Sequence, residues 1–172
     1  MQEVTIRLRF TNPCLGFAPR QLENGRRDVI YRMPRDGQGR VIFLTSWWHS
    51  RMLYAAKVTG VCYNKANRID WSQPVDGSVT QWRRTVATAK EGRRQRYALH
   101  ESFRPGAEIG INAVLPDSIT IDEFTTLLTV IGTYKGISPF QCEDATYGTF
   151  EVLSVMPTVR QLKPMLQKQE SQ

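Results

Sequence analysis

The chain has 172 residues, 41% of them hydrophobic, enough for one domain with a real core. A formal charge of +7 and a pI near 9.6 direct it toward polyanions, nucleic acid first and an anionic membrane surface second. Three widely spaced cysteines without metal-ligand spacing exclude a disulfide framework and a zinc site and read as reduced thiols.

Val4, Ile6, Leu8 and Phe10 alternate with Thr5, Arg7 and Arg9, the pattern of a half-buried strand with a basic outer face. Residues 11–25 hold Pro13, Gly16, Pro19 and Gly25 and are expected to form a long loop. Apolar runs at 28–33 and 41–44 flank Asp36-Gly37, a hairpin-turn signal. A helix is expected over 45–58, capped by Thr45 or Ser46. It carries one stripe of Trp48, Met52 and Ala55 and a neighbouring one of Trp47, Arg51, Tyr54 and Val58. One reading buries both tryptophans; the other sets Trp47 and Arg51 at a partner surface, where Trp and Arg are favoured anchors.

The pattern weakens between residues 60 and 105, with short strands expected at 68–71 and 82–87 and a loop at 73–78. Residues 83–104 carry Arg83, Arg84, Lys90, Arg93, Arg94, Arg96 and Arg104 against Glu91 and Glu101, with Trp82, Tyr97 and Phe103 interleaved. Glu91-Gly92 reads as the tip of a basic hairpin projecting from the domain. A charge run is ordinarily a solvated face. Here arginine predominates, and arginine forks phosphate while aromatic rings stack on the bases of single strands. This stretch is the leading candidate for nucleic-acid contact.

The best-marked unit follows: a strand at 108–115, a helix at 121–134, a loop at 135–140 and a strand at 148–155. Thr120 and Glu123 have capping-box spacing, and Phe124, Leu127, Leu128 and Ile131 make one apolar stripe. In the last strand Phe150, Val152 and Ser154 alternate with Thr149, Glu151, Leu153 and Val155. Two prolines and a polar end mark residues 157–172 as an extended tail, disordered or docked on a neighbouring subunit. The expected architecture is a single α+β domain over 1–156. It has a ferredoxin/RRM-like antiparallel sheet, helices on one face and a basic hairpin insertion at about 60–105. No membrane-length apolar run and no signal-type leader is present, which points to a cytoplasmic protein, in a prokaryotic cell or a phage-infected host.

Two stretches carry a resemblance. Val41-Ile-Phe-Leu-Thr-Ser-Trp-Trp-His-Ser-Arg-Met-Leu-Tyr54 leads from a strand through small polar residues into a helix with a basic residue. Gly136-Ile-Ser-Pro139 precedes Tyr147-Gly-Thr-Phe-Glu-Val152, a glycine-containing loop running into a final strand. In these the chain resembles the RAMP superfamily of CRISPR-associated RNA-binding proteins, or a phage or mobile-element relative. The resemblance covers about a third of the chain. It implies an RRM-like fold and RNA binding, commonly in many copies along a guide. It assigns contact roles to Arg51 and to the loop, where Lys135, Gly136, Ser138 and Gly148 lie. The chain departs from the pattern in its sparse, widely spaced glycines and in Trp47 and Trp48, which stand where small residues are usual.

Catalysis is expected to be absent. Related endonucleases of that superfamily use a histidine base without metal, so the two histidines, His49 and His100, are the candidates for a metal-independent ribonuclease. Neither is paired in sequence with a second catalyst. No triad order, phosphate-binding loop or acidic cluster suggests other chemistry, and no cofactor or metal is expected. The expected partner is RNA or another single-stranded nucleic acid, within a homo-oligomer or larger complex and without a membrane. A protein-assembly or inhibitor subunit of a phage or mobile element is the rival outside nucleic-acid binding.

Overall fold

The computed structural model describes residues 1–16, 18–21, 27–71, 74–86, 96–139, 141–142 and 145–158. In chain order the elements are β1 (Gln2–Phe10), β2 (Cys14–Leu15), β3 (Ala18–Gln21), β4 (Arg27–Arg32), α1 (Thr45–Thr59) and α2 (Tyr63–Ala66). They continue with β5 (Thr80–Val86), β6 (Arg96–Phe103), β7 (Glu108–Leu115), α3 (Ile121–Tyr134), β8 (Gln141–Cys142), β9 (Ala145–Thr146) and β10 (Phe150–Pro157).

The first sheet has the antiparallel order β10-β1-β7, with β1 central. Asp70 and Asp76 add isolated bridges to Val114 and Gly110 on the far side of β7, a vestigial fourth strand. With α1 before that segment and α3 between β7 and β10, this is an α+β fold of ferredoxin/RRM-like type. Val4, Ile6, Leu8 and Phe10 of β1 and Ile109, Ile111, Ala113 and Leu115 of β7 are buried, as the alternation requires. The helices pack on each other, and their buried residues join those of both strands in one core.

α3 begins as expected: the Thr120 hydroxyl accepts from the Glu123 amide, and the Glu123 carboxylate accepts from the Thr120 amide. The Thr120 amide, and after it the Thr120 hydroxyl, hold this carboxyl below its usual range. α1 begins differently. Leu44 is its N-cap and makes no side-chain cap bond, and Thr45 is already helical. Burial of Trp47, Trp48, Met52, Ala55 and Ala56 holds this helix in place of a cap. Trp48 stacks on Trp71 with centroids 3.9 Å apart, and Trp47 packs against Phe43 at 5.7 Å.

In β10 the alternation breaks. A bulge opposite Arg7 and Leu8 shifts the register, so that Val155 pairs with the inward Ile6 and Ser154 with the outward Arg7. The expected phase, with Ser154 beside Phe150 and Val152, is reversed beyond the bulge.

The second sheet is made from the insertions, in the order β2-β6-β4-β3 with β5 on the other edge of β6. The expected long loop at 11–25 therefore contains two strands. Cys14 and Leu15 pair with Phe103 and Ser102, and Pro19 lies in β3, at the edge of the sheet where a missing N–H is tolerated. The Asp36-Gly37 turn forms, with the Asp36 carboxylate accepting from the Gln38 and Arg40 amides. Only the bridge Arg35–Val41 spans it, so residues 41–44 are not a strand. The basic hairpin is present as β5–β6, antiparallel from Thr80–Ser102 to Val86–Arg96. Its expected tip at Glu91-Gly92, with Lys90, Arg93 and Arg94, lies outside the described residues, as does the tail from residue 159. Among the described residues no helix is long and apolar enough to cross a membrane.

The α3–β10 contact depends on Gly132. A Cβ there would overlap the Phe150 carbonyl oxygen and come within 2.7 Å of its ring. Gly132→Ala is expected to destabilise the fold by about 1–3 kcal/mol, the usual cost of overpacking. Denaturant titration would show it as a lower midpoint with an unchanged slope.

Candidate nucleic-acid interface

Alternation divides the hairpin residues between two faces. Trp82, Arg84, Ala98 and His100 share one; Gln81, Arg83, Tyr97, Leu99 and Glu101 share the other. Trp82 and Tyr97 thus project to opposite sides of the sheet, and a single strand crossing one face cannot stack on both.

The face with Arg83 is the exposed one. The Arg83 guanidinium lies 3.8 Å from the centroid of the Tyr97 ring, and that ring is 45% exposed. Stacking on the ring holds the arginine in one orientation while its N–H edges stay toward solvent. Further along this face is an ion cluster that the sequence reading did not single out. Glu101 is 8% exposed and accepts from Arg32 Nη1 at 3.4 Å and from Arg35 Nη2 at 3.0 Å. Its second oxygen accepts from the Met33 amide at 2.9 Å. An acid alternating with the Arg84 and Arg96 face of the hairpin was the available signal. One carboxylate fixes two arginines, so the face stays basic.

The opposite face is closed. His100 is fully buried, stacked on Tyr31 at 4.7 Å. Its Nδ1 lies 2.8 Å from the Gly16 carbonyl and its Nε2 accepts from Arg84 Nε at 3.2 Å, a pattern that requires the neutral ring with the proton on Nδ1. Burial pushes the imidazole below its ordinary pKa; the Gly16 carbonyl opposes this and the Arg84 cation adds to it. The unfolded chain binds a proton near pH 6.5 and the folded ring does so only at lower pH. The stabilisation from neutral His100 is therefore present above about pH 6.5 and lost as pH falls through the folded value. Melting temperatures measured from pH 7.5 to 5 are expected to fall, and the dependence should flatten in His100→Gln. With both nitrogens engaged, this ring has no lone pair to offer a 2′-hydroxyl. His49 is exposed, and its ring meets that of Tyr63 edge to face with centroids 5.8 Å apart.

The residues drawn from the resemblance are placed inside the fold. Arg51 Nε donates to the Gly136 carbonyl at 3.1 Å and its Nη2 to the Ser138 carbonyl at 3.0 Å. Burial pushes this guanidinium's pKa down, and it remains a cation. Gly136 and Ser138 are buried. The Gly136, Ile137 and Gly148 amides donate to the Ile131, Gly148 and Pro13 carbonyls. Gly136 has φ +64°, and a Cβ there would overlap the Tyr147 carbonyl. Lys135 is half-buried, its Nζ 4.6 Å from the Tyr54 ring centroid. Trp47 is 7% exposed. Helix and loop are thus tied together, and the partners of Arg51 are main-chain carbonyls of this chain.

The open face of the first sheet offers little for stacking. Arg9 Nη2 meets Glu108 at 2.8 Å and Arg9 Nη1 meets Glu151 at 3.5 Å, while Arg7 meets Glu108 at 3.4 Å. The arginines hold the Glu108 carboxyl below its usual range. Charge here is balanced across the strands, and the basic outer face expected of β1 is largely neutralised. Of the sequence candidates, the structure gathers Arg83 and Tyr97 on one exposed face, while Arg96, paired with Val86, falls at the alternate register with Trp82 and Arg84. Among the described residues no cluster of three His, Cys, Asp or Glu side chains is positioned for a metal.

No family model and no curated protein matches this chain. Among solved structures it is similar to a chain of the Type III-B Cmr-beta complex bound to cognate target RNA, determined by cryo-EM. The TM-score is 0.58 at 10% identity, covering 91% of this chain. This chain spans 60% of the length of that one, and at such identity the likeness is one of fold.

Proposed function

We propose that this chain is a non-catalytic RNA-binding subunit of a multi-protein ribonucleoprotein complex of the CRISPR-associated kind, present in several copies and working in the prokaryotic cytoplasm. One observation carries the reading. The β5–β6 hairpin presents an exposed basic face, with Arg83 stacked on Tyr97, on a fold shared with a chain of an RNA-bound complex. Lys90, Arg93 and Arg94 follow in the sequence between the two strands and add to its positive charge. Binding then rests on phosphate neutralisation and on base stacking against Tyr97. The engagement of both His100 nitrogens supports a role without cleavage.

The test is binding of fluorescent single-stranded RNA, matched DNA and duplex RNA to nuclease-treated protein across a salt series. The expected result is preference for the single strand, with a log–log salt slope of about −3 or steeper, the value for four phosphate contacts at about 0.7 each. Absence of binding at low salt would overturn the proposal and favour a protein-assembly role.

A further inference from the structure

Beside the hairpin face, between the turn at residues 36–40 and the segment at 74–79, lies a groove of about 450 Å³. Pockets for small organic ligands occupy roughly 300–1,000 Å³, so the space suits one nucleotide rather than a macromolecular segment. Its lining is polarised. Arg35 and Arg40 stand at one end, and Val41, Pro74, Val75 and Val79 supply an apolar surface.

Both arginines are held in place. Arg35 is bound through Nη2 to Glu101 and through Nη1 to the Gly39 carbonyl. Arg40 Nε donates to the Asp36 carboxylate at 2.8 Å, and that carboxylate is anchored in turn by the Gln38 and Arg40 amides. These amides and the Arg40 cation hold the Asp36 carboxyl below its usual range, so it stays an anion and keeps its hold on Nε. Asp36 engages Arg40 through Nε, and the half-exposed side chain turns its outer Nη edge to an anion. The apolar side is equally fixed. The Val75 amide donates to the Val41 carbonyl, and Asp76 exchanges both main-chain hydrogen bonds with Gly110. Asp76 stands at the rim, so charge favours an anion only at the arginine end.

We infer that this groove is a nucleotide subsite, with phosphate at Arg40 and Arg35 and the base laid on Pro74 and Val79, over the buried Val41 and Val75. It rests on the RNA reading and extends it. Arg35 shares Glu101 with Arg32 on the hairpin face, so a strand lying over Arg83 and Tyr97 leads directly to the groove. The ligand recognised is one nucleotide of single-stranded RNA, and free adenosine monophosphate is the simplest probe.

Saturation-transfer NMR of the full chain with millimolar adenosine monophosphate is the test, run beside adenosine. Transfer is expected to the adenine protons, with adenosine at least threefold weaker because it lacks the phosphate. Arg40→Ala removes an exposed side chain, leaves the amide bonds to Asp36 intact, and is expected to weaken the nucleotide about fivefold. Arg83→Glu should leave the mononucleotide signal unchanged while reducing binding of long RNA. No transfer to the adenine protons, or transfer equal in Arg40→Ala and the native chain, would overturn the subsite. If RNA binding persists in that case, the RNA reading stands without it; if the mononucleotide binds and RNA does not, the groove stands and the RNA reading falls.

Discussion

Arg51→Ala is expected to destabilise the folded chain by about 3–5 kcal/mol and to leave the RNA affinity of the molecules that remain folded unchanged. The magnitude follows from two hydrogen bonds with a charged donor, each worth about 1.5–3 kcal/mol, whose loss removes the guanidinium from the Gly136 and Ser138 carbonyls of a buried loop. Arg51→Lys should recover only part of this. An ammonium can reach one carbonyl as a point charge but cannot span two with a fixed fork. Urea denaturation followed by tryptophan fluorescence reads the stability, because Trp47 and Trp48 lie on the same helix. RNA titration of each variant under conditions where it is fully folded reads the affinity. A stable Arg51→Ala protein that had lost RNA binding would reverse the assignment and restore Arg51 to the interface.

This residue shows how far the sequence could be read. Arg51 on an aromatic helix has the composition of an interface anchor, and its spacing gives no hint that the matching carbonyls lie 85 and 87 residues away. The unit from β7 to β10 was legible because its signals are local: a capping box, a helical stripe and alternating strands. Even there a single extra residue in β10 reversed the phase after Leu153, since a bulge is set by the pairing partner β1 and leaves no mark on local periodicity. The second sheet was the least legible. β2 is two residues long and is paired by β6, nearly ninety positions on, and a strand that short has no alternation to read. The hairpin arginines were visible by count, whereas their division between faces emerged only from the register of β5 on β6. Glu101 was obscure for the same reason: one of two acids among many arginines reads as relief of charge until its burial shows that it organises Arg32 and Arg35.

The register also separates the two aromatic candidates, and this gives the sharpest functional expectation. The double variant Arg83→Glu with Tyr97→Ala is expected to bind single-stranded RNA about a hundredfold more weakly, equivalent to about 2.7 kcal/mol. Loss of the stacking platform accounts for about 1–3 kcal/mol by analogy with other single-strand binders. Removing one phosphate contact lowers the salt slope by about 0.7, and the reversed charge adds repulsion that grows as salt is lowered. Both side chains are exposed and stack on each other at the surface, so the fold should tolerate the change. Trp82→Ala is expected to behave in the opposite way. Trp82 pairs with His100 on the closed face, so its loss should lower stability and leave affinity within about twofold of the native value. Fluorescence anisotropy with one labelled RNA at two salt concentrations, together with a melting curve for each variant, distinguishes the outcomes. If Trp82→Ala weakened binding as much as the double variant while melting normally, the strand would run over the face closed by His100, and the hairpin would present its other side to RNA.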